Sequence, residues 1–427
     1  MSFDRNIRNL AEVCLFISRG ITPAYVEADG VTVINQKCIR NGSIDFGQSR
    51  KTDSAKKKIP VDKLLKEFDI LVNSTGVGTL GRVGQLFKKD GELTVDSHVT
   101  IVRPDANKVD PTFLGYVLKN LQPSIEALAE GSTGQTELSR HKLGELTFLD
   151  LVKEDQIAIG SICKAIDDRI TLLRETNKTL EAIAQTIFKS WFVDFDPVRA
   201  KMEGRAPTGM DAETAALFPD ELVESELGLI PIGWKVEGLD QIATYLNGLA
   251  LQKFPPTGHN DLPVIKIAQL RKGDTVGADM ASSAIKPEYV VIDGDVLFSW
   301  SGSLEVEIWC GGEGALNQHL FKVTSSKYAK WFYYLWTRKH LKQFRQIAES
   351  KATTMGHIQR SHLSDAKVVI PSNELLLTAD KLFQPIIDRI TSNSLQAKTL
   401  TDIRDELLPR LISGKLRLGD DSITEAT

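Results

Sequence analysis

The sequence has few cysteines and no long apolar run. Its four cysteines, Cys14, Cys38, Cys163 and Cys310, lie far apart without metal-ligand spacing, so we expect reduced and mostly buried thiols rather than a metal site. No apolar stretch approaches the roughly 18 residues of a membrane span, and the first residues carry no cleavage signature. We therefore expect a cytoplasmic protein with no membrane contact.

The chain also lacks the strong positive charge that is common in nucleic-acid-binding proteins. Its net charge is −4, but the acid is concentrated at residues 196–232, which include 8 acidic and 3 basic residues. Residues 1–150 include 20 basic and 19 acidic residues, and residues 233–372 include 16 and 13. Both larger regions are thus mildly basic, which is compatible with a phosphate-binding patch on each but does not require one.

What the sequence does contain is an internal repeat. Residues 166–171 (IDDRIT) return 220 positions later as residues 386–391 (IIDRIT). Three upstream blocks match in the same order: 33–42 with 264–273, 69–76 with 295–302, and 96–99 with 317–320. A period of half the chain is far longer than the roughly 20 to 50 residues of a solenoid unit, so a whole domain with its helix is duplicated.

Each half begins with a region in which short β-branched runs alternate with Gly, Asn, Asp and Pro. This pattern is typical of strands joined by turns, and helices are predicted between them, for example over 113–119 and 329–345. The fold class is therefore α+β, with mixed domains at residues 1–150 and 236–372. Helical segments at 151–195 and 373–416, a spacer or linker at 196–235 and a flexible tail at 417–427 complete the predicted organisation.

The two helical segments carry apolar residues at heptad positions over about four heptads, which favours coiled-coil packing. The seam residues are Cys163, Ile166, Ile170, Leu173, Asn177, Leu180, Ala184, Ile187 and Trp191 in the first helix, and Phe383, Ile386, Ile390, Ala397, Leu400, Leu407 and Leu411 in the second. Asn177, Asn393 and Arg404 interrupt the apolar pattern. Such polar residues either fix the helix register or lie near a partner surface, and both interpretations stay open.

The repeat also predicts how the helices run. Duplicated domains often pair about a twofold axis, which would make the helices antiparallel and give the molecule a dumbbell shape. With about 38 residues at 1.5 Å each, the rod would be roughly 57 Å long, comparable to some 17 base pairs of B-DNA. Two domains on such a rod would reach two separated places on one duplex.

A glycine-rich run, residues 74–84 (STGVGTLGRVG), contains Gly-x-Gly-x-x-Gly directly after a predicted strand. A dinucleotide site would need a helix beginning at these glycines and an acidic residue about 20 positions later, and the sequence predicts neither. The matching segment of the second half keeps only Gly302. A glycine-rich hairpin is the favoured interpretation.

The motifs of common catalytic sites are missing. The sequence has no Asn-Pro-Pro-aromatic motif for adenine methylation, no phosphate-binding loop with Gly-Lys-Ser/Thr, and no carboxylate pair with lysine suggesting a nuclease. His98 and His319 match across the repeat, but each is flanked by a strand-like apolar run, which favours structural histidines. We therefore expect a binding subunit with no catalytic residues and no metal.

Three segments of the spacer resemble a known family. Residues 188–198 (FKSWFVDFDPV), 217–228 (LFPDELVESELG) and 230–236 (IPIGWKV) are similar to the central spacer of the specificity (S) subunits of type I restriction-modification enzymes. The resemblance extends over essentially the whole chain, from Leu10 to about Leu416. It implies two target recognition domains, each reading one half of a bipartite, asymmetric DNA sequence, and helices whose seam residues fix the gap between the halves and whose surfaces dock two modification subunits.

The resemblance also implies partners. Besides double-stranded DNA, these would be two modification (methyltransferase) subunits, which carry S-adenosylmethionine and methylate adenine N6. Two restriction subunits, ATP-driven translocases that use Mg, would add cleavage of unmodified DNA. The chain itself is expected to bind no cofactor.

Candidate DNA contacts are the basic, polar and aromatic residues of matched loops and basic clusters: Lys56, Lys57, Lys58, Ser74, Thr75, Thr133, Gln135, Arg140, His141, Lys142, Arg271, Lys272, Trp300, Lys351, Thr353, Thr354, Arg360 and His362. A lysine cluster or a single polar loop is more often a solvated surface. Two polar loops at equivalent places, residues 132–142 and 351–362, favour function. Two other hypotheses stay open: a coiled-coil scaffold whose end domains bind protein or glycan, and a nucleotide-dependent enzyme that uses the glycine-rich run.

Overall fold

The computed structural model describes residues 6–130, 136–350 and 356–418. The chain divides into two compact units. Unit 1 holds the residues up to Arg169 together with those from Leu400 onward, and unit 2 holds Ile170–Thr399. This division assigns one part of each long helix to unit 1 and the other part to unit 2.

Unit 1 contains two four-stranded sheets, with the strand orders β10-β4-β7-β3 and β2-β11-β8-β9. Its strands are β1 (Ile7–Asn9), β2 (Cys14–Arg19), β3 (Tyr25–Val26), β4 (Val31–Ile34), β5 (Ile39–Arg40), β6 (Ser43–Ile44), β7 (Arg50–Thr52), β8 (Ile70–Asn73), β9 (Val83–Gln85), β10 (Leu93–Val95), β11 (Val99–Pro104) and β12 (Thr147–Leu149). Strands β10 and β4 run parallel, and the other pairs in these sheets run antiparallel.

Unit 2 contains two four-stranded sheets of its own, with the orders β18-β17-β22-β19 and β16-β23-β20-β21. The strands are β13 (Leu222–Ser225), β14 (Gly228–Pro231), β15 (Lys235–Gly238), β16 (Thr244–Asn247), β17 (Leu262–Ile265), β18 (Met280–Ala281), β19 (Val290–Val291), β20 (Val296–Ser299), β21 (Val306–Ile308), β22 (Gly314–Leu316), β23 (Leu320–Thr324) and β24 (Lys367–Ile370). Here β17 and β22 form the parallel pair.

Two helices are much longer than the others. The helices are α1 (Pro111–Asn120), α2 (Gln122–Ala127), α3 (Arg140–Gly144), α4 (Lys153–Phe192), α5 (Asp196–Met202), α6 (Ala212–Ala216), α7 (Leu239–Ile242), α8 (Ile267–Lys272), α9 (Lys330–Ser350), α10 (Arg360–Asp365) and α11 (Asn373–Ile412). Helices α1 and α9 confirm the two short helices predicted from sequence. In the part of the chain that the structure describes, no helix is both long and apolar enough to span a membrane.

The two units repeat one strand arrangement. Strand β11 lies between β2 and β8 in unit 1, just as β23 lies between β16 and β20 in unit 2. The registers match as well: Thr100 pairs with Arg19 and Val72, and Phe321 pairs with Asn247 and Phe298. Strands β8 and β20 are buried along their whole length, which accounts for their uninterrupted apolar sequences. The α+β class and the internal repeat are confirmed.

One matched block adopts different local structures in the two units. Ile39–Arg40 forms a strand that pairs with β6, whereas the equivalent residues of unit 2 lie in α8. Each segment ends at a glycine in the left-handed region, Gly42 with φ 72° and Gly273 with φ 78°, where a side chain would be strained. The two domains therefore share the turn but present unlike surfaces before it.

Each unit has an ion pair at a matched aspartate, buried in unit 1 and half-buried in unit 2. Arg103 donates two hydrogen bonds of 2.8 Å to Asp69, whose side chain is fully buried. The equivalent Asp295 pairs with Lys322 at 2.7 Å, and this lysine comes from a different position along its strand. A bidentate arginine–carboxylate pair is the stronger and more directional of the two arrangements.

The long helices α4 and α11 have 40 residues each and pack against each other. In unit 2 they run antiparallel, because Asn177 contacts Asn393 whereas Trp191, further along α4, contacts Phe383, which precedes Asn393. The predicted seam residues are all buried or half-buried: Cys163, Ile166, Ile170, Leu173, Asn177, Leu180, Ala184, Ile187, Trp191, Phe383, Ile386, Ile390, Ala397, Leu400, Leu407 and Leu411. The antiparallel helix pairing predicted from the internal repeat is confirmed in unit 2.

Arg404, one of the polar seam residues, belongs to a buried network in unit 1. Its guanidinium lies 2.5 Å from Asp167, which also accepts a hydrogen bond of 2.7 Å from Tyr116 and lies 3.4 Å from Lys119. Burial acts to raise the pKa of Asp167, but the Lys119 ammonium and the hydrogen bonds from Arg404 and Tyr116 hold it below its ordinary value. The charged carboxylate therefore links α1 to both long helices.

Asn177 and Asn393 meet across the seam in unit 2. The Asn393 amide donates to Asn177 Oδ1 at 2.9 Å, and the Asn177 amide donates to Ile390 O at 3.0 Å and to Ser394 Oγ at 2.9 Å. Asn393 is only 2% exposed. Because a buried amide is destabilising unless it is paired, the helix register that aligns these residues is favoured. Of the two interpretations left open by the sequence, the structure supports the register role.

Replacing Asn393 with leucine should lower the free energy of unfolding of unit 2 by about 1–3 kcal/mol, because the Asn177 carbonyl loses its donor. The double variant N177L/N393L should recover most of this loss, since two apolar side chains then fill the seam. Urea unfolding monitored by tryptophan fluorescence measures both changes. A single variant as stable as the wild type would contradict the pairing role.

The spacer segments that carry the family resemblance form part of an aromatic cluster. It comprises Phe188, Trp191 and Phe192 from α4, Phe195, Phe218 and Trp234 from the spacer, Trp331 and Phe332 from α9, and Phe383 from α11. Phe195, with φ 59°, makes the left-handed turn between α4 and α5. Phe218 and Trp234 therefore anchor residues 196–235, interpreted from sequence as a spacer or linker, to the core of unit 2, whereas residues 202–206 and 211–213 are exposed.

Candidate nucleic-acid interface

The two polar loops predicted from sequence are attached at matching places in the two units. In unit 1 the Leu138 amide donates to Ser74 O at 2.8 Å, and in unit 2 the Ile358 amide donates to Trp300 O at 3.0 Å. Each loop is thus hydrogen-bonded to the residue that directly follows β8 or β20, an interior strand that is called the central strand of its unit below. The equivalence of the two loops is confirmed at these positions.

In both units a histidine lies beside a hydroxyl residue that follows the central strand. The region around this pair, His98 with Thr75 or His319 with Ser301, is called the edge of its unit below. His98 Nδ1 is 2.7 Å from Thr75 Oγ1, and His319 Nδ1 is 3.0 Å from Ser301 Oγ. His98 is exposed and His319 is half-buried. Both rings have a hydrogen-bond partner, as expected of structural histidines, but neither is fully buried.

The backbone around each histidine is fixed by a buried residue two positions earlier. The His98 amide donates to Asp96 Oδ1 at 2.9 Å, and the His319 amide donates to Asn317 Oδ1 at 3.2 Å. Burial raises the pKa of Asp96, and the His98 amide and imidazole act to lower it. Since the neutral Asn317 makes the same bond, the shared role is to orient the histidine.

Two glycines allow the chain to pass close to this edge. A Cβ on Gly20 would lie 2.1 Å from Val95 O, and a Cβ on Gly248 would lie 2.3 Å from Asn317 O. No side chain fits at such distances, so glycine is required for the close approach at both positions. These contacts bring the end of β2 or β16 beside the histidine of the same unit.

The glycine-rich run of unit 1 forms the tip of the hairpin between β8 and β9. Gly76, Gly78 and Gly81 all have positive φ, and no helix begins there. The dinucleotide-site hypothesis is therefore wrong, and the hairpin interpretation is confirmed. Glycine is needed at Gly76 in particular, where φ is 105° and a Cβ would lie 2.3 Å from Thr79 Oγ1.

A cleft of about 600 Å³ lies beside this tip. Its lining residues are Arg40, Asn41, Val77, Gly78, Thr79, Arg82 and Gln122. The two arginines make the cleft cationic, and the Val77 side chain at its rim is 86% exposed. Arginine binds phosphate or guanine edges, and an exposed methyl group contacts the thymine methyl, so this chemistry suits DNA.

The corresponding hairpin tip of unit 2 is shorter and acidic. Glu305 stands where unit 1 has Arg82, as the matched backbone bonds at the hairpin base show. Arg345 pairs with Glu305 at 2.8 Å, and both line a cleft of about 330 Å³ with Glu349. Burial raises the pKa of the nearby Glu307 to about 7. The two units thus present different charges at equivalent edges: two arginines in unit 1 and a glutamate–arginine pair with a further glutamate in unit 2.

Arg140 and Arg360 are the first residues of the short helices α3 and α10. Both are exposed. Arg140 lines a cleft of about 600 Å³ together with His141, and the Arg360 guanidinium carbon lies 5.6 Å from the centre of the Phe321 ring. Both guanidinium groups are therefore accessible to a ligand, and the Phe321 contact restricts Arg360 to one side of the helix.

Other candidates on these helices are engaged by neighbours. Lys142 pairs with Glu130, and His141 lies 3.3 Å from a glutamate one helical turn later. His362 Nδ1 accepts a hydrogen bond of 3.0 Å from the Gln359 amide, which caps the start of α10. His362 is thus occupied in positioning the helix that carries Arg360.

The predicted basic clusters lie on the surface. Lys56, Lys57 and Lys58 are exposed on the turn after β7. Arg271 and Lys272 are exposed in the last turn of α8, where cations are also favoured by the helix dipole. Exposed ammonium and guanidinium groups of this kind contact phosphates without reading sequence.

Two candidates require correction. Ser74 is fully buried and lies 2.5 Å from Thr100 Oγ1, so its hydroxyl does not reach a DNA surface. Trp300 is half-buried, and its Nε1 donates to Asn247 Oδ1 at 2.9 Å and to Gln318 O at 3.1 Å. The tryptophan N–H therefore holds the edge of unit 2 together and is not available to a base.

Five candidates lie outside the described residues: Thr133, Gln135, Lys351, Thr353 and Thr354. Most of the tail, from residue 419 onward, lies outside them as well. Arg40 and Arg82 are not evident as candidates from the sequence, because residues about 40 positions apart share a cleft only after folding. The match of His98 with His319 across the repeat was a usable signal for this region.

Comparison with known proteins identifies the duplicated domain. The family model for the type I restriction modification DNA specificity domain matches residues 6–182 and 231–401. The chain is 26% identical over 411 residues to the type I restriction enzyme HindI specificity subunit of Haemophilus influenzae, covering 83% of this chain and 88% of that protein. It is 27% identical over 371 residues to the MjaIX specificity subunit of Methanocaldococcus jannaschii, covering 84% and 81%.

A solved structure has the same fold. The S subunit of a type I restriction-modification system from M. genitalium superposes with a TM-score of 0.55 at 17% identity, covering 95% of this chain and 96% of that one. The two family matches coincide with the two halves of the internal repeat. The chain therefore belongs to the type I restriction-modification DNA specificity family and carries two copies of its domain.

Proposed function

We propose that the chain is the DNA-recognition subunit of a type I restriction-modification complex, in which each unit reads one half of a bipartite, asymmetric target. The observation that carries this proposal is that the two units share one strand arrangement, called the duplicated frame below, but differ at their edges. The strand order and the histidine–hydroxyl pair recur, while the hairpin tips differ in length and charge. Because the frame is repeated, both units can bind the duplex in a similar way. Because the edges differ, the two units can recognise two different half-sites.

Arg140 and Arg360 are the candidate base readers. Arginine forms bidentate hydrogen bonds with guanine O6 and N7 in the major groove, and each such pair contributes about 1–3 kcal/mol of discrimination. The lysines at 56–58 and the cations Arg271 and Lys272 would contact phosphates and set the position of each domain on the duplex. Thr75 remains a candidate through its hydroxyl at the edge of unit 1.

The exposed side of α4 is the proposed docking surface for a methyltransferase subunit. Leu172 is 55% exposed and Ile183 is 43% exposed. They lie 11 residues apart, about three helical turns, and so on the same side of the helix. Large apolar side chains exposed together mark protein contact surfaces. Because methylation acts on a base inside the duplex, the docked enzyme must flip the adenine out of the stack.

The proposed complex has two methyltransferase and two restriction subunits, and it works in the cytoplasm, where it meets foreign DNA. S-adenosylmethionine, ATP and Mg would belong to these partners. This chain would supply no catalytic group and no cofactor site. Its contribution would be to choose the sequence and to fix where the partners act.

Binding by the purified complex tests the proposal. The full chain, co-expressed with the methyltransferase subunit of its own system, should select one gapped sequence from a random duplex library. Its affinity should fall steeply as salt rises, since several phosphate contacts release counterions. Absent or salt-insensitive DNA binding would favour the alternative, a coiled-coil scaffold whose domains bind protein or glycan.

A further inference from the structure

We infer that His98 and His319 are matched anchors for DNA phosphates, one in each unit. This inference rests on the proposed DNA-reading function and assigns part of it to two particular side chains. Both histidines follow the parallel strand pair of their unit and lie beside the hydroxyl residue at the end of the central strand. They therefore occupy one position in the duplicated frame.

The hydrogen bond at Nδ1 of each ring leaves Nε2 as its second polar atom. When the hydroxyl of Thr75 or Ser301 donates to Nδ1, the single proton of the neutral imidazole lies on Nε2. When the ring is protonated, Nε2 carries a proton as well. In both states Nε2 can donate to an oxygen of an approaching ligand, and a phosphate oxygen is a strong acceptor for such a bond.

The match between the units points to the DNA backbone rather than to a base. The surroundings of the two histidines are unlike: Ser74 in unit 1 corresponds to Trp300 in unit 2, and Glu137 corresponds to His357. A contact made in the same way by both domains does not distinguish two different half-sites. The part of DNA that is the same at every half-site is the phosphate backbone.

The groups nearest to each imidazole are compatible with an incoming phosphate. In unit 1, the backbone of Glu137 forms a β-bridge with that of Thr75. The Glu137 carboxylate is paired with Arg19 at 2.6 Å, so its charge is offset. In unit 2, the Gln318 amide nitrogen lies 3.4 Å from His319 Nε2; since this nitrogen only donates, the contact is a hydrogen bond only while Nε2 is unprotonated, and at 3.4 Å it is weak. A phosphate oxygen would displace this weak contact easily.

The first test compares H98A, H319A and H98Q in the purified complex of the full chain with its methyltransferase subunits. Loss of one charge-assisted hydrogen bond should weaken specific and non-specific duplex binding alike, by roughly 10-fold for each alanine variant. The selected target sequence should stay the same. H98Q keeps a side-chain N–H and should lose less affinity than H98A.

The second test locates the contact without changing the protein. Single phosphates of the selected target are replaced by neutral methylphosphonates. One position in each half-site should weaken the wild-type complex, and the same position should have no further effect on H98A in one half-site or on H319A in the other. Variants that bind like the wild type would overturn the inference, and so would a change in the selected sequence, which would make the histidine a base reader. A wild-type complex that does not bind DNA would instead refute the proposed function.

Discussion

Replacing Phe383 with alanine should lower the free energy of unfolding of unit 2 by about 3–5 kcal/mol. Phe383 is fully buried, stacks on Trp331 with ring centres 4.5 Å apart, and contacts Trp191 at 6.0 Å. The cavity would open where α4, α9 and α11 meet. The surrounding rings are held by edge-to-face contacts with one another, so they relax into the cavity only partly.

The adjacent residue provides a matched control. Leu382 is on the same helix and is 37% exposed, so L382A should change the stability by less than about 1 kcal/mol. Tryptophan fluorescence during urea unfolding is selective for this comparison, because all six tryptophans of the chain lie in unit 2. Equal shifts in the two variants would contradict a central stabilising role for the aromatic cluster.

Replacing Asp69 with alanine should destabilise unit 1 by about 3–5 kcal/mol, because it leaves the Arg103 guanidinium buried without its counterion. The Asp69 side chain is fully buried and that of Arg103 is 10% exposed. Unit 1 has no tryptophan, so amide hydrogen exchange of β8 and β11 is the appropriate measurement. Exchange in both strands should become much faster.

Two further variants distinguish the effect of breaking the buried ion pair from the effect of removing any one charge. Asp168 pairs with Lys164 at 2.5 Å, but its side chain is 63% exposed, so D168A should change the stability by only about 0.5 kcal/mol. The double variant D69A/R103M should recover part of the loss, since it removes the unpaired charge. Exchange no faster in D69A than in D168A would contradict the importance of the buried pair.

The duplicated frame could be predicted from the sequence because it depends on strong local patterns. The heptad positions predicted two long helices whose ends the structure places within a few residues. The apolar run at 70–73, predicted as a strand before the glycine-rich run, is a strand buried along its length, and the matching run at 296–299 is another. The blocks at 33–42 and 264–273 show the limit of this reasoning, because similar sequences form a hairpin in one unit and a helix in the other. Their local structure is set by different tertiary neighbours.

The candidate DNA-contacting residues were harder to predict, because the exposure of a side chain depends on where its strand ends in the folded unit. Ser74 and Thr75 are adjacent in sequence, yet the hydroxyl of Ser74 points into the core while that of Thr75 lies at the edge. Arg40 and Arg82 come from different hairpins and form one cationic cleft only in the folded unit. Sequence matching did locate Arg140 and Arg360, since both start a helix at the equivalent place.

One duplicated frame presents two unlike DNA-recognition surfaces. This claim is tested most directly by mapping the methylated adenines produced by complexes that contain the wild-type chain, R140A or R360A. The wild type should give a gapped motif with two different halves. R140A should relax one half and R360A the other, each by about 1–3 kcal/mol at the affected position, with the gap unchanged. A continuous motif, or variants that alter both halves together or neither, would contradict this account.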